Sequence, residues 1–167
     1  MSGLFVVMGV SGCGKSTVAE ALAAQSGGLF LDADDFHPPE NKRKMAAGIP
    51  LTDDDRWGWL EALNAKLASL AQGEKPVFLA CSALREVYRE RLRAGLPGLR
   101  FLYLKGTRAC IASRLAARKG HFMPSALLDS QFATLEEPAD AIVVDIDQSA
   151  QAVIRDAASQ IGRARGA

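Results

Sequence analysis

This chain is organised around the segment Gly9-Val10-Ser11-Gly12-Cys13-Gly14-Lys15-Ser16. The segment matches the phosphate-binding pattern G-x-x-x-x-G-K-[ST] at every fixed position. It is preceded by a continuous apolar run, Leu4-Phe5-Val6-Val7-Met8, which is typical of a strand buried on both faces. Helix formers follow from Thr17 to Gln25, and Gly27-Gly28 predict the end of that helix. Strand, loop and helix in this order are the context in which the pattern binds phosphate.

The chemistry of this loop predicts a nucleoside triphosphate with Mg²⁺. Glycines let the backbone curl so that its N–H groups surround phosphate oxygens, and the helix that starts near Lys15 adds its positive end. Lys15 supplies a positive charge for the outer phosphates, and the Ser16 hydroxyl is placed to ligate the metal. The alternative is a turn that binds nothing, but such a turn has no need of Gly-Lys-Ser at its end. The candidate ATP-binding residues of the loop are Gly9, Val10, Ser11, Gly12, Cys13, Gly14, Lys15, Ser16 and Thr17.

Composition restricts the class of protein. The chain has 167 residues, 49% of them hydrophobic and 23% charged, with a net charge of +1. These values are ordinary for one globular domain and predict neither a nucleic-acid partner nor a membrane. The three cysteines have no metal-ligand spacing and are odd in number, so we expect a reduced, cytoplasmic enzyme. Cys13, inside the loop, could make ATP binding sensitive to oxidation, or could be a tolerated small residue.

Strand and helix patterns alternate along the chain, which predicts a parallel sheet covered by helices on both faces. We expect one domain over residues 1–167. Four further strands are predicted at Leu29–Asp32, Pro76–Cys81, Leu99–Leu104 and Ala141–Asp145. Further helices are predicted at Pro39–Ala47, from the Thr52 cap to Gly73, and at Glu86–Arg93, Arg108–Arg118 and Ser125–Leu135, with a last helix ending near Ile161 and a frayed tail over 163–167.

Carboxylates follow the second predicted strand. Asp32 and Asp34 lie where that strand ends, and His37 comes shortly after. Ligands of open α/β sheets bind beyond the carboxyl ends of the strands. Alternation predicts that the two carboxylates point to the same side. A solvated acidic turn is the alternative, but beside a phosphate loop both Mg²⁺ and a hydroxyl nucleophile need a carboxylate.

The next two segments add charged candidates. Thr52 and Asp55 form a capping-box pattern, and the helix dipole is sufficient to explain the neighbouring Asp53 and Asp54. Arg56 lies in the same first turn, where the dipole disfavours a cation, so it is a candidate ligand contact. The third strand ends in Cys81-Ser82, where many phosphate-loop proteins have an aspartate. The carboxylate roles at the site therefore fall to Asp32 and Asp34.

A basic segment near residue 118 predicts a lid. Arg114 and Arg118 share one helical face, where like charges repel, which indicates an anionic ligand or simple solvation. A glycine-containing stretch follows, and we expect residues 118–137 to close over the triphosphate and exclude water. Residues 146–149, after the fifth strand, are a candidate purine-contact loop.

Together these residues resemble the gluconate kinases, a branch of the shikimate kinase and nucleoside monophosphate kinase group, over nearly the whole chain. The resemblance is carried by Met8–Ser16, Phe30–Asp34 with His37-Pro38, Lys44-Met45 with Gly48 and Pro50-Leu51, Asp53–Arg56 with Trp59-Leu60, Cys81–Leu84, Tyr103–Gly106, Arg118–Phe122 and Val143–Asp147. It departs at Arg85, where lysine is common, and at Cys13, a variable position. The resemblance implies a three-layer P-loop NTPase fold with a five-stranded parallel sheet and a mobile lid, and a substrate-binding helical region at about 36–73.

The same resemblance implies transfer of the ATP γ-phosphoryl group to the 6-hydroxyl of D-gluconate. Asp34 resembles the carboxylate that orients and deprotonates the sugar hydroxyl, and Asp32 the group that holds Mg²⁺ through water. Arg114 and Arg118 resemble the lid pair of the monophosphate kinases, of which one stacks on adenine and the other meets the transferring phosphate. We assign Arg114 to ATP, and Lys15 and Arg118 to the γ-phosphoryl group.

On the acceptor side, His37, Arg56 and Arg85 resemble substrate contacts. An arginine fork suits the gluconate carboxylate, but which of the two arginines binds it stays open. Members of this family are often dimers, so a homodimer is one expectation. Two alternatives remain at this stage: a P-loop kinase for another small acid such as shikimate or for a nucleotide, and a non-catalytic ATP switch.

Overall fold

A computed structural model of the chain describes residues 3–117 and 125–166. Its strands are β1 (Leu4–Met8), β2 (Leu29–Asp32), β3 (Val77–Ala80), β4 (Leu99–Lys105) and β5 (Ile142–Asp145). They form one sheet in the order β2-β3-β1-β4-β5, and every neighbouring pair is parallel. The predicted sheet is confirmed, and each strand agrees with its predicted bounds to within one residue.

The described α-helices are α1 (Lys15–Ser26), α2 (Pro39–Ala46), α3 (Asp53–Leu70), α4 (Glu86–Arg93), α5 (Arg108–Ala117), α6 (Ser125–Thr134) and α7 (Ala150–Arg165). A short 3₁₀ helix at Ala33–Phe36 follows β2. The frayed tail predicted for 163–167 is wrong for its first part, because α7 continues to Arg165, whose guanidinium lies 5.4 Å from the centre of the Phe5 ring.

Helices cover both faces of the sheet, as the three-layer prediction requires. Inward-facing residues of α1, α5, α6 and α7 pack on one face, and those of α3 and α4 pack on the other. Successive residues of a strand point to opposite faces, so Phe5 and Val7 belong to the first layer and Leu4 and Val6 to the second. Strands β1 and β3 are thereby buried on both sides, which explains their unbroken apolar runs, whereas the edge strands β2 and β5 are partly exposed.

Helix α3 shows how local sequence and packing agree. The Thr52 hydroxyl accepts from the Asp55 N–H at 3.2 Å, and the Asp55 carboxylate accepts from the Thr52 N–H at 2.9 Å, which confirms the capping box. Leu60, Leu63 and Leu67 are fully buried against the sheet. Each such leucine contributes roughly 2 kcal/mol of hydrophobic stabilisation. The helix start that carries Asp53 and Arg56 is therefore firmly placed.

No helix in the described part of the chain is both long enough and apolar enough to cross a membrane.

Candidate active site

Three strand ends bring the candidate residues to one edge of the sheet. The glycine-rich loop follows β1, Asp32 ends β2, and β3 lies between these two strands. Neighbouring strands are about 4.8 Å apart, so about 10 Å separates the ends of β1 and β2. The Gly9 N–H donates to the carbonyl of Ser82, after β3, at 3.3 Å. The phosphate loop and the Asp32 carboxylate therefore lie at the same edge of the sheet, two strand spacings apart.

The backbone of the loop requires glycine at two positions. Gly9 has a φ of +149°, and a Cβ there would lie 2.7 Å from the Cys13 Sγ and 2.9 Å from the Leu104 carbonyl oxygen. Gly12 has a φ of +87°, and a Cβ there would lie 2.9 Å from the Leu115 side chain. Side chains at either position would open the tight curl of the loop backbone.

Lys15 holds its charge inside the curl. Its Nζ donates to the carbonyls of Gly9 at 3.1 Å and Val10 at 3.3 Å. Helix α1 begins at Lys15, after Gly14 in a left-handed conformation. The N–H groups of the first turn have no partner within a helix, so they and the helix dipole favour an anion at this end.

Cys13 is buried beneath the loop, with 1% of its surface exposed. Burial raises the pKa of its thiol, an effect that the Lys15 charge opposes only in part. A buried thiol with a raised pKa forms little of the reactive thiolate. The structure therefore disfavours oxidation sensitivity at Cys13 and favours a small residue packed under Gly9.

The acidic turn is built differently from the prediction. Alternation would continue β2 through Asp34, but the chain turns into the 3₁₀ helix directly after Asp32. The Asp32 carboxylate accepts from the Asp34 N–H at 3.0 Å and so caps this helix. The alternation argument is therefore wrong here, although both carboxylates lie in the same turn. The Asp34 side chain is 80% exposed and is open to a ligand.

His37 is buried beside Asp34 with a defined orientation. Its ring stacks on Trp59 at 4.1 Å between centres, and the Trp59 indole N–H donates to the Ala33 carbonyl at 2.7 Å. The Asn41 amide group donates to the Asp55 carbonyl at 2.8 Å and lies 3.2 Å from the His37 Nδ1, which therefore accepts. The His37 Nε2 then carries the proton and lies 3.9 Å from the Asp34 carboxylate.

This setting predicts a pH-dependent stability. Burial lowers the pKa of His37 from its ordinary value of 6.5, and the Asp34 charge opposes the shift only in part. The unfolded chain then takes up a proton before the folded chain does. Above pH 6.5 His37 is neutral in both states and its contribution to stability is fully present. The free energy of unfolding then falls as the pH drops through 6.5 toward the folded-state pKa.

His37→Gln removes this titration, so we expect the variant to lose less stability than the parent between about pH 7.5 and about pH 5.5. Urea unfolding of both proteins at the two pH values measures the difference, because the other titrating groups cancel. An equal or larger loss in the variant would contradict the assignment.

Arg56 and Arg85 meet in one cluster. The Asp53 carboxylate accepts from the Arg85 Nη1 at 2.6 Å and from the Tyr88 hydroxyl at 2.6 Å. The Arg56 Nη1 donates to the Tyr88 oxygen at 2.9 Å and lies 3.6 Å from the Asp53 carboxylate. The Arg56 charge also acts on the pKa of His37, which connects this cluster to the acidic turn. The dipole explanation for Asp53 is therefore incomplete, because Asp53 joins two predicted substrate contacts.

The buried Cys81 thiol, directly after β3, is affected by charges from both the loop and the acidic turn. Burial raises the pKa of the Cys81 thiol to about 12, and the charges of Lys15, Asp34 and Asp32 all act on it. Lys15 lowers this pKa and the two carboxylates raise it. The buried end of β3 therefore lies within electrostatic range of both the loop lysine and the acidic turn.

Arg89 is a buried arginine that sequence reasoning missed. It is 1% exposed and donates to the carbonyls of Ala83 at 2.6 Å and Glu136 at 2.7 Å. Ala83 has a φ of +47°, a conformation that costs energy for any residue with a side chain. Arg89 thus holds the turn before Arg85 and joins it to the segment after α6. Arg89 lies among other charged residues in α4, so nothing in the local sequence indicated that it is buried.

Helix α6 also contacts the loop. The Gln131 side-chain oxygen accepts from the Ser11 N–H at 3.1 Å, a contact that the sequence did not indicate. On the other side, the Arg114 Nη2 donates to the carbonyls of Ile146 and Gln148. Arg114, Ile146 and Gln148 line a cavity of about 330 Å³. Its other lining residues are Cys110, Ser113 and Asp147. The structure thus brings Arg114 to the predicted purine-contact loop.

Part of the predicted lid lies outside the described residues. Arg118 and residues 119–124 belong to that part, so the lid and the role of Arg118 stay predictions.

Known proteins that resemble this chain in sequence and structure include several gluconokinases. A family model described as an AAA domain matches residues 4–138. The thermoresistant gluconokinase of Escherichia coli (strain K12) is 50% identical over 155 residues, which cover 90% of this chain and 89% of that protein. The thermosensitive gluconokinase of the same organism is 46% identical and covers 86% of this chain and 79% of its own. A crystal structure of a gluconokinase from Sinorhizobium meliloti 1021 is 48% identical, with a TM-score of 0.87 over 96% of this chain and 92% of that one.

A five-stranded parallel sheet with this loop after its central strand is the fold of P-loop nucleotide-binding proteins, and its likeness to the solved gluconokinase places the chain among the P-loop kinases, which transfer phosphoryl groups from a nucleotide. Identities of 46% to 50% over most of the chain narrow the class further. The chain belongs to the gluconokinase family.

Proposed function

We propose that this protein phosphorylates D-gluconate at its 6-hydroxyl with ATP and yields 6-phospho-D-gluconate and ADP. The observation that carries the proposal is the 46% to 50% identity, over 86% to 96% of this chain, with gluconokinases from two organisms. The position of the loop and the acidic turn at one edge of the sheet supports it, because phosphoryl transfer needs a donor and an acceptor held in line.

On the donor side, the loop residues Gly9 to Thr17 bind the phosphates of ATP, and Arg114 contacts the adenine side. The Ser16 hydroxyl and the Asp32 carboxylate are oxygen donors, and Mg²⁺ is bound in such sites by few protein oxygens plus phosphates and water. These residues therefore fit Mg²⁺, with Asp32 acting through water. The metal, when bound, neutralises charge on the phosphates. Lys15 and Arg118 add positive charge at the γ-phosphoryl group.

On the acceptor side, Asp34 orients the 6-hydroxyl and accepts its proton late in the transfer. Its exposure and its place opposite the loop support this role. His37 donates through its Nε2, and Arg56 and Arg85 bind the carboxylate end of the substrate. The proposed substrate is a monoanion, which matches two arginines balanced by one aspartate.

Residues 118–137 act as a lid that excludes water, the protein acts in the cytoplasm, and a homodimer stays a prediction.

The test is a coupled assay of ADP release with the purified protein and a panel of acceptors: gluconate, shikimate, other sugar acids and AMP. We expect turnover with gluconate well above that with the other acceptors. Turnover with another acceptor and none with gluconate would overturn the proposal. Slow hydrolysis that is indifferent to every acceptor would favour an ATP switch instead.

A further inference from the structure

Asp53 and Tyr88 form a bridge between the two candidate substrate arginines. Asp53 lies in the first turn of α3, as does Arg56, whereas Tyr88 lies in the first turn of α4, just after Arg85. Tyr88 is buried, and both guanidinium groups lie over its ring, with centres 5.3 and 5.4 Å from the ring centroid. Contacts on an aromatic face and on a carboxylate restrict how each guanidinium can turn.

We infer that Asp53, supported by Tyr88, is a positioning residue that orients Arg56 and Arg85 toward the carboxylate of the acceptor. This inference rests on the proposed function and adds a residue to that site. Asp53 acts through the two arginines and does not itself touch the substrate.

The hydrogen bonds leave part of each guanidinium available. Arg56 and Arg85 each use Nη1 toward the Tyr88 hydroxyl or the Asp53 carboxylate. A guanidinium carries five N–H donors, so one edge can be held by the protein while another meets a carboxylate.

Charge balance gives the bridge a second effect. Arg56 and Arg85 repel each other, and the ionised Asp53 between them offsets that repulsion. Hydrogen bonds from Tyr88 and Arg85 hold the pKa of Asp53 below its ordinary value, so it stays ionised at neutral pH. The three groups together carry one net positive charge, which a single carboxylate neutralises.

Asp54 provides a matched control for this bridge. It lies in the same helical turn and carries the same charge, but its carboxylate makes no hydrogen bond or ion pair with any described residue. Asp53→Asn and Asp54→Asn therefore lose the same interaction with the helix dipole. Only the first variant loses the carboxylate that both arginines contact.

The experiment measures steady-state kinetics of both variants with varied gluconate and varied ATP. For Asp53→Asn we expect the KM for gluconate to rise roughly tenfold or more, the scale of a lost charge-assisted hydrogen bond, with little change in the KM for ATP. Asp54→Asn should match the parent in both. Tyr88→Phe, which removes only the hydroxyl, should raise the KM for gluconate in the same way by a smaller factor.

A double-mutant cycle separates positioning from a general structural role. If Asp53 acts through Arg85, Asp53→Asn should have a smaller effect on the gluconate KM in an Arg85→Ala background than in the parent. An unchanged or lowered gluconate KM in Asp53→Asn overturns the inference, as does an equal rise in the KM for ATP or full additivity with Arg85→Ala.

The proposed function can fail separately. If the parent phosphorylates a different acid, the same comparison of Asp53→Asn with Asp54→Asn on that acid decides the inference. If the protein phosphorylates only acceptors that lack a carboxylate, or phosphorylates no acceptor, both the proposed function and the inference about Asp53 are overturned.

Discussion

Replacing Asp34 with alanine is expected to lower kcat for gluconate phosphorylation by at least roughly 100-fold, the lower part of the range for groups that accept a proton in the transition state. The exposed Asp34 carboxylate follows the end of β2, two strand spacings from the loop, and is proposed to orient the hydroxyl nucleophile and take its proton. Lost orientation adds to lost base catalysis, because in-line transfer depends on placement of the attacking oxygen. Steady-state kinetics with saturating ATP and gluconate measure the effect.

Asp35→Ala is the matched control for this prediction. Asp35 is the next residue of the same 3₁₀ helix and is also exposed. We expect it to retain most of the parent kcat, so that loss of charge in the turn is separated from loss of the base. Near-normal turnover in Asp34→Ala would remove this residue from the mechanism.

Replacing Lys15 with alanine is expected to lower kcat/KM for ATP by roughly 100-fold or more, the scale of losing one preorganised charge at the transferring group. The Lys15 ammonium is held by two loop carbonyls, at 3.1 and 3.3 Å, at the start of α1. Its removal leaves the buried core untouched, so the melting temperature should stay close to that of the parent. Kinetics with varied ATP and a thermal unfolding curve measure the two effects.

Lys66→Ala, an exposed lysine on α3, provides the control for removal of a positive charge. It should leave both kinetics and melting temperature unchanged. Retained ATP use in Lys15→Ala would exclude a role for this lysine at the phosphates. A large fall in melting temperature would instead indicate that Lys15 serves mainly to hold the loop.

The fold could be predicted because its signals are local. Each strand is a short, mainly apolar run between turn residues, and in β1 and β3, which are buried on both faces, no polar residue interrupts the run. The motif from Gly9 to Ser16 predicted a strand before the phosphate loop and a helix after it. The capping pattern at Thr52 and Asp55 placed the start of α3 for the same reason, since both partners lie within one helical turn.

The details of the acidic turn could not be predicted from alternation. Strand periodicity holds only while the backbone stays extended, and the Asp32 side chain ends that geometry by capping a 3₁₀ helix. The sequence identified Asp32 and Asp34 as neighbours at a strand end. It could not say how their side chains are oriented, because a side chain that bonds to its own backbone competes with the extended form.

Contacts between distant segments were the main omission. Asp53 and Arg85 are 32 residues apart, and Asp53 has a sufficient local explanation at the start of a helix. Arg89 lies in a helix rich in charge, yet packing buries it against the carbonyls of Ala83 and Glu136. Such long-range pairs depend on how α3, α4 and the segment after α6 assemble on the sheet. No local pattern reports that assembly.

The central claim is that the γ-phosphoryl group of ATP goes to the 6-hydroxyl of gluconate. The most direct measurement incubates the purified protein with ATP, Mg²⁺ and D-gluconate and then adds 6-phosphogluconate dehydrogenase with NADP⁺. The account predicts NADPH in a one-to-one ratio with ADP, and none when gluconate or ATP is omitted. ADP formation without NADPH would contradict it, because the phosphoryl group would then have gone to water or to another position.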